Sequence, residues 1–402
     1  MIDDVSPSLF LSTVNQVGER VNTALARTLG KIGFHPGIVG FGGYGSSTQA
    51  RVLGRVIMSR DDEQRAWLRD HRGWRQFFDA QVPRQPVVVT VGHVRVMTYA
   101  DRGGYVDLTV MDHNLTPGWH TAWMQSLDAE KVHALQLKKG PVPPSPTEKP
   151  PLTLTVEGGT ISAGQAVPIA VRIVSEHECL GIVSDIDDTA MVSMVPRLLQ
   201  AARHALVDYV SAREAVPGMA DFLSFVTQEA SHYCAGDKNS SEDLPVREGM
   251  DLPGPAVYLS TGAWNVVPTV RDFLTRAKFP RGAFLMTDFG PSNTGWFRSG
   301  REHKRRELRR LAATFPHMKW LLVGDDGQRD PEIYAEFARE YPQCVAGIAI
   351  RSLSSVEQFM AHGTLSSLFL HELRDIPATI PVFFGTNGAE LLDIVKRDIF
   401  EV

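Results

Sequence analysis

The stretch LGIVSDIDDT, residues 180–189, decides the fold class of the second half of the chain. Its first part, Leu180 to Ser184, is a short apolar run of the kind found in fully buried strands. Three aspartates then follow within four positions. Like charges this close raise one another's pKa unless a cation offsets them, so a bound hard cation such as Mg2+ is the simplest resolution. One or two of these aspartates alone would be explained equally well as turn residues or helix caps.

Beyond this stretch, short apolar runs alternate with segments of helical periodicity. The predicted strands are 180–184, 256–260, 283–286, 320–323 and 345–350, and the predicted helices are 219–229, 266–277, 302–315 and 331–340. Strands that alternate with helices of this length favour a doubly wound α/β domain with a parallel sheet. Ligands of such sheets bind at the carboxyl ends of the strands, so the residues that follow each strand form the candidate site.

Polar residues that could bind a phosphate accompany two of these elements. Ser260 and Thr261 end the second strand ahead of a helix, where hydroxyls and backbone amides could hold a phosphate oxygen. Ser-Thr-Gly before a helix is, however, more often a cap. In the basic segment 301–310, REHKRRELRR, Lys304 shares the inward stripe of Leu308. We therefore expect Lys304 to face the site and the neighbouring arginines to form a solvated face.

A second pair of acids, Asp325 and Asp326, follows the predicted strand at 320–323. Asp330 precedes Pro331, which is the arrangement of an N-cap before a proline at the first helical position. A structural role and a functional role are equally good explanations of Asp330. Asp325 has no such structural explanation, so it joins the candidate site.

The first half of the chain has a different texture. Apolar residues at helical spacing predict a leading helix within residues 1–33. Short β-favouring runs, separated by glycine and proline, then favour an antiparallel sandwich or barrel, and we expect a β-sandwich-like domain over 34–178. The α/β domain spans the remainder, 179–402. Two local predictions in the first half are a short helix between residues 59 and 79 and a strand at 134–137.

Composition excludes several classes of protein. The 402 residues suffice for two or three domains with cores of their own, and the net charge of −5 argues against nucleic-acid binding through overall basicity. No stretch approaches the ~18 unbroken apolar residues of a membrane span, and the N-terminus lacks a secretory pattern. The three cysteines lack the paired spacing of a zinc site and are interpreted as buried thiols in a reducing compartment. We therefore expect a cytoplasmic protein.

The order of the motifs is that of a known superfamily. An acid pair with a threonine, a Ser/Thr, a lysine and a second acid pair follow one another, and in this respect residues 181–350 resemble the haloacid dehalogenase superfamily of phosphotransferases. More narrowly, GIVSDIDDT, YLSTGAWN, the His303-Lys304 pair and GDDGQRDPEIY are similar to the actin-patch phosphatidate phosphatase family and its bacterial relatives. GYGSSTQARVLGRV, residues 43–56, is similar to the start of that family's N-terminal β domain.

This resemblance implies a role for each motif. Asp185 would be the nucleophile that takes the phosphoryl group as an aspartyl-phosphate. Asp187 would protonate the leaving group and then activate water. Lys304 and Ser260, or Thr261 in place of Ser260, would bind the phosphoryl oxygens.

The resemblance also implies Mg2+ as the cofactor. The Asp185 carboxylate, the Asp187 backbone carbonyl and Asp325 would hold the ion. Asp326 stands where the family commonly has a small hydroxyl residue, and it would be a further metal ligand or merely alter the metal shell. Thr189 would orient the loop and lie with the phosphate-binding residues.

Together these features predict a Mg2+-dependent phosphomonoester hydrolase. The resemblance adds phosphatidate as the expected substrate, hydrolysed to diacylglycerol and phosphate by a cytoplasmic or peripheral membrane enzyme. A soluble phosphate ester is the alternative, because the polar loop at 236–254 gives no sign of an acyl-chain pocket. In a second hypothesis, the β domain is a membrane- or protein-binding module beside a vestigial phosphatase. Its interfacial residues would be Trp74, Arg75, Phe77 and Phe78, which a helix packed on the sandwich would explain as well.

Overall fold

The computed structural model describes residues 28, 33–59, 81–143, 149–192, 214–235, 252–287, 300–355, 357–358 and 370–401. These residues divide into two compact units, of which the first ends at Ile173 and the second begins at Val174. The predicted leading helix, the predicted helix between residues 59 and 79 with its aromatic residues, and most of the loop at 236–254 lie outside the described residues.

The first unit is built on one eight-stranded sheet. Its strands are β1 (His35–Gly45), β2 (Gln49–Ser59), β3 (Pro86–Val91), β4 (Val94–Tyr99), β5 (Tyr105–Met111), β6 (Gly118–Ser126), β7 (Gly140–Val142) and β10 (Val167–Ile173), and a separate hairpin pairs β8 (Thr153–Val156) with β9 (Gly159–Ser162). The order in the sheet is β5-β2-β1-β10-β6-β3-β4-β7. Every pairing is antiparallel except β1 with β10. The prediction of a mainly antiparallel β domain is therefore confirmed, and its described strands form one large sheet and one small hairpin.

The sheet buries side chains on both faces. Along β3, Val87, Val89 and Val91 enter the larger core, whereas Val88 enters a smaller core. The hairpin contributes Leu154, Val156 and Ile161 to the smaller core. This distribution follows from the two-residue period of a strand, which sends successive side chains to opposite faces.

The predicted strand at 134–137 is wrong. Helix α1 (Ala129–Ala134) ends there, and the carboxylate of Asp128 caps its start by accepting hydrogen bonds from the Glu130 and Lys131 amides. An aspartate at the N-cap stabilises a helix by satisfying amides that have no partner within it. Residues 135–137 follow the helix as a turn and irregular structure, and Gln136 has a positive φ of 52°, which a strand does not allow.

The second unit contains a six-stranded parallel sheet flanked by helices. Its strands are β11 (Leu180–Ser184), β12 (Ala256–Ala263), β13 (Gly282–Thr287), β14 (Lys319–Asp325), β15 (Val345–Arg351) and β16 (Val382–Gly385). Its helices are α2 (Met219–Ala235), α3 (Val267–Arg276), α4 (Gly300–Thr314), α5 (Asp330–Glu340) and α6 (Gly388–Val395). The parallel α/β architecture was predicted, whereas β16 and α6 were not.

The strand order of this sheet places a candidate site near its centre. The order is β13-β12-β11-β14-β15-β16, so the chain leaves β11 in one direction, returns, and continues on the other side at β14. All neighbouring strands are parallel. Ligands of doubly wound sheets bind outside the carboxyl ends of the strands where the order reverses. Here these ends carry Asp185 and Asp325.

Two further expectations concern cysteines and membranes. Cys179 is disulfide-bonded, so the prediction of reduced thiols is wrong for this residue, whereas Cys344 is free and buried. Because disulfides are rare in reducing compartments, the cysteines no longer support a cytoplasmic location. In the described part of the chain, no helix combines the length and the apolar character needed to cross a membrane.

Candidate active site

The loop that follows β11 turns sharply at the carboxyl edge of the sheet. Asp185 is buried, and its amide donates to the carbonyl of Val323 on β14 at 2.9 Å. Asp188 has a positive φ of 62° and donates from its amide to the carbonyl of Met191 at 2.8 Å. Aspartate is one of the residues that tolerate this left-handed conformation. The turn therefore keeps the aspartates of the loop at the carboxyl edge of the sheet.

Lys304 of α4 reaches this edge from the side, as its position on the inward stripe predicted. Its Nζ lies 2.6 Å from Oδ1 of Asp185 and 2.5 Å from Oδ1 of Asp330, and all three side chains are buried. Burial alone would lower the pKa of Lys304, but Asp185 and Asp330 raise it above its ordinary value. The ammonium is therefore charged and offsets part of the negative charge of the site.

Three buried carboxylates converge beside this lysine. One carboxylate oxygen from each of Asp185, Asp325 and Asp330 lies within 4.8 Å of the others. Burial raises the pKa of Asp185 well above its usual range, and Asp330 and Asp187 raise it further against the opposing effect of Lys304. Burial also raises the pKa of Asp325, with added repulsion from Asp330 and Asp185. When all three carboxylates are ionised, one lysine leaves a net negative charge that a bound cation would offset.

The oxygen atoms of this cluster fit a hard divalent cation. Oδ2 of Asp185 and Oδ2 of Asp330 are buried and have no hydrogen-bond partner. A buried carboxylate oxygen without a donor is costly, whereas a hard cation such as Mg2+ prefers such ligands. Oδ1 of Asp325 accepts from the amides of Gly327 and Gln328 at 2.8 and 3.0 Å. These bonds orient Asp325 and leave its Oδ2 beside the Thr189 hydroxyl at 3.4 Å.

Asp187 lies at the more exposed side of the same loop. Its carboxylate accepts a hydrogen bond from the Ser260 hydroxyl at 3.3 Å, and its backbone carbonyl accepts from Nε2 of Gln328 at 3.1 Å. Oγ of Ser260 accepts from the Gly262 amide at 2.9 Å. Ser260 is buried, whereas Thr261 is exposed. Asp187 is therefore held near the cluster and remains partly accessible from solvent.

Comparison with known proteins agrees with this geometry. Residues 180–352, which begin with β11 and end just after β15, match the family model described as "Phosphatidate phosphatase APP1, catalytic domain". This segment is therefore similar to a phosphatidate phosphatase catalytic domain. Every residue of the cluster lies within it.

The similarity to individual proteins is more distant. An uncharacterized protein of Schizosaccharomyces pombe is 23% identical over 186 residues, which is 45% of this chain. The chain spans about a quarter of the length of that relative, 26%. No solved structure matches the chain at a significant level.

Within the matched segment, Asp326 has its hydrogen-bond partners outside the carboxylate cluster. Its Oδ1 accepts from the Leu353 amide at 2.9 Å and from Nε2 of Gln358 at 2.8 Å. Burial raises the pKa of Asp326, and these hydrogen bonds oppose the shift. The structure therefore places this sequence-predicted metal ligand in contact with the segment after β15 and does not bring it together with Asp185 and Asp325.

Asp330 is the residue that sequence reasoning left open. It is the first residue of α5, the helix N-cap position is Arg329, and no side-chain cap bond forms there. The Asp330 carboxylate contacts Lys304 instead. Gly324 makes room for it, because a Cβ at that position would lie 2.6 Å from Oδ2 of Asp330. The glycine immediately before Asp325 was therefore a usable sequence signal for a side chain that packs against the strand end.

Proposed function

We propose that this protein is a Mg2+-dependent phosphomonoester hydrolase of the haloacid dehalogenase type, which forms an aspartyl-phosphate on Asp185. The observation that carries the proposal is the buried arrangement of Asp185, Asp325 and Asp330 around Lys304 in a segment similar to a phosphatidate phosphatase catalytic domain. An uncharged apolar environment would not stabilise so many carboxylates, so the arrangement is best explained by a bound cation, which together with Lys304 would also attract an anionic substrate.

Asp185, Asp325, Asp330 and the Asp187 carbonyl are the groups that would hold the metal. When bound there, Mg2+ supplies positive charge that stabilises the phosphoryl oxygens as the transferred group moves. Asp185 Oδ2 and Asp330 Oδ2 support this assignment, because both are buried acceptors without a hydrogen-bond donor.

In the first half of the reaction, Asp185 attacks the phosphorus of the monoester. A bond forms between the Asp185 carboxylate and phosphorus, and the bond from phosphorus to the ester oxygen breaks. Asp187, which is partly exposed and close to Asp185 in the chain, gives its proton to the departing oxygen. Lys304 reduces the repulsion between the Asp185 carboxylate and the incoming phosphate.

In the second half, Asp187 takes a proton from a water molecule that attacks the phosphorus of the aspartyl-phosphate. The bond between phosphorus and Asp185 breaks, inorganic phosphate leaves, and both aspartates return to their starting states. The Ser260 hydroxyl, bonded to the Asp187 carboxylate, fixes the side chain in both steps. Thr261 is exposed at the same edge and is the better placed of the two hydroxyls to bind a substrate oxygen.

The family description favours phosphatidate as the substrate, and a soluble phosphate ester is the alternative. The decisive experiment compares phosphate release from phosphatidate in mixed micelles with release from a panel of water-soluble monoesters, at matched Mg2+ and with a chelator control. Preference for phosphatidate supports a lipid substrate at a membrane surface. Equal or better turnover of the soluble esters would contradict the lipid assignment. If neither phosphatidate nor any soluble ester releases phosphate in a Mg2+-dependent way, the proposed function is wrong.

A further inference from the structure

A buried arginine at the carboxyl end of β15 has no part in the reaction steps above. Arg351 is 4% exposed. Its guanidinium donates from Nη1 to the Asp188 carbonyl at 2.7 Å, from Nε to the Thr386 carbonyl at 3.2 Å and from Nη2 to Oε1 of Glu357 at 2.5 Å. Arg351 thus connects the loop after β11 with the segments that follow β15 and β16.

The bond to Asp188 falls on a residue with an uncommon backbone conformation. Asp188 is the left-handed residue of the turn, with φ of 62°. A non-glycine residue persists in this region when its surroundings hold it there. The Asp188 amide is held by the Met191 carbonyl, and the Asp188 carbonyl is held by Arg351. With both peptide groups fixed, the turn cannot relax without breaking a buried hydrogen bond.

The preceding carbonyl of the loop is held in the same way. Nε2 of Gln328, beyond the end of β14, donates to the Asp187 carbonyl at 3.1 Å. Two consecutive carbonyls of one loop are therefore fixed by side chains from two neighbouring strand ends. Asp187 supplies both the proposed proton donor and, through its carbonyl, a proposed ligand of the cation.

We propose that Arg351 is a positioning residue, which holds the Asp185–Thr189 loop in the conformation that presents Asp187 to the cation and the substrate. The inference rests on the proposed function. Glu357 orients the guanidinium from the other side, and Oε2 of Glu357 accepts from the Ser354 amide at 2.9 Å. The contacts of Arg351 run to the loop and to these anchors, so it acts through Asp188 and not on the reacting atoms.

The test measures cation binding apart from activity. Mn2+, a hard cation that prefers oxygen ligands as Mg2+ does, is titrated into the full chain without substrate, and the free ion is counted by electron paramagnetic resonance. For Arg351→Gln we expect Mn2+ affinity and kcat each to fall by about 10- to 100-fold, the usual effect of losing a partner of a ligand group, with little change in KM. Arg351→Lys should recover part of both losses, because an ammonium still donates to a carbonyl but lacks the fork of the guanidinium.

Arg55→Gln is the matched control. Arg55 of β2 is also 4% exposed and donates to a backbone carbonyl, that of Gly103 at 3.1 Å. The Arg55→Gln substitution should leave Mn2+ affinity unchanged. A loss of Mn2+ affinity equal to that of Arg351→Gln would show a general effect of removing a buried arginine and would overturn the proposal. Wild-type affinity and kcat in a folded Arg351→Gln would also overturn it.

Two outcomes separate this inference from the proposed function. If the wild type hydrolyses no phosphomonoester but Arg351→Gln weakens Mn2+ binding, the proposed function fails and the positioning role stands. If Arg351→Gln does not fold, the Mn2+ affinity of Arg351→Lys tests the positioning role. A reduced Mn2+ affinity in that variant supports the role, and wild-type affinity contradicts it.

Discussion

Lys304 lies between two buried carboxylates and offsets one negative charge of the site. Replacing it with methionine in the presence of a chelator should lower the free energy of unfolding by about 3–5 kcal/mol, the usual cost of leaving a buried charge without its partner. Added Mg2+ should restore part of the loss, since it supplies positive charge to Asp185 and Asp330. Urea unfolding with and without Mg2+ measures both effects.

Lys319→Met is the control for this prediction. Lys319 is exposed at the start of β14, so its replacement should change stability by less than about 0.5 kcal/mol. A Lys304→Met protein as stable as the wild type in chelator would show that the carboxylates do not depend on the lysine.

Adjacent aspartates at the end of β14 should differ in their effect on the metal. Asp325 belongs to the carboxylate cluster, whereas Asp326 bonds to Leu353 and Gln358. We expect Asp325→Asn to weaken Mg2+ binding by at least about tenfold. Asp326→Asn should leave the affinity nearly unchanged, because an amide oxygen can still accept from the Leu353 amide. Calorimetric titration of Mg2+ makes the comparison, and an equal loss in the two variants would make Asp326 a ligand.

The sequence was most informative for residues that directly follow a strand. Asp185 and Asp325 were placed because the carboxyl ends of adjacent parallel strands meet at one edge. Asp330 was ambiguous, since an aspartate before proline at a helix start has a local explanation that is correct in many proteins. Only the tertiary contact with Lys304 separates the two roles, and that contact depends on how α4 and α5 pack.

At the scale of elements, the basic face of α4 is paired with acids of α5. Arg305 contacts Glu336, Arg309 lies 2.6 Å from Glu340, and Arg301 lies 2.6 Å from Glu332. The sequence predicted a solvated face for Arg305 and Arg309. In the structure, Arg309 stays partly exposed as predicted, but it and Arg305 also form ion pairs between the two helices. These ion pairs leave less positive charge available to an anionic lipid surface.

These pairs should contribute little to stability and should depend on salt. Arg309 and Glu340 are partly exposed, so Arg309→Gln should lower the free energy of unfolding by at most about 1 kcal/mol at low salt, and by less at high salt. Arg276→Gln, on the exposed face of α3, is the control. Urea unfolding at two salt concentrations checks the prediction, and a loss that does not shrink with salt would mean that Arg309 acts by packing.

Regular elements with strong apolar patterns were predictable, whereas the glycine-rich strand β1 and the edge strand β16 were not. Strand β1, HPGIVGFGGYG, contains five glycines, which weaken the strand signal. Its glycines are needed where β2 approaches closely, since a Cβ on Gly43 would collide with the Arg51 carbonyl. Strand β16, VFFG, contains strand-favouring residues, but it has only four residues and lies at the edge of the sheet, so its sequence pattern is too short to place it beside β15.

For the whole molecule, the raised pKa values of Asp185 and Asp325 make stability depend on pH and metal together. Without a cation, the Asp185 and Asp325 carboxyl groups of the folded protein keep their protons above about pH 3.9, where the same groups of the unfolded chain lose them. The folded state binds more protons in that window, so metal-free stability should fall as pH rises through it. Mg2+ favours the charged carboxylates, and its stabilising effect should therefore grow with pH.

Urea unfolding across this pH range, in chelator and in Mg2+, measures that dependence. Asp325→Asn removes one of the two titrating groups. In this variant, the stabilisation by Mg2+ relative to chelator should therefore depend less on pH. A stabilisation by Mg2+ that is independent of pH in the wild type would mean that the ion binds away from the carboxylate cluster.

The central claim is that Asp185 and a divalent cation together hydrolyse a phosphomonoester. The most direct measurement is phosphate release from phosphatidate and from p-nitrophenyl phosphate by the wild type and by Asp185→Asn, each with Mg2+ and with chelator. We predict release by the wild type in Mg2+, none in chelator, and a loss of at least about 10⁴-fold in a folded Asp185→Asn. Phosphate release that survives the substitution, or that needs no cation, would contradict the account.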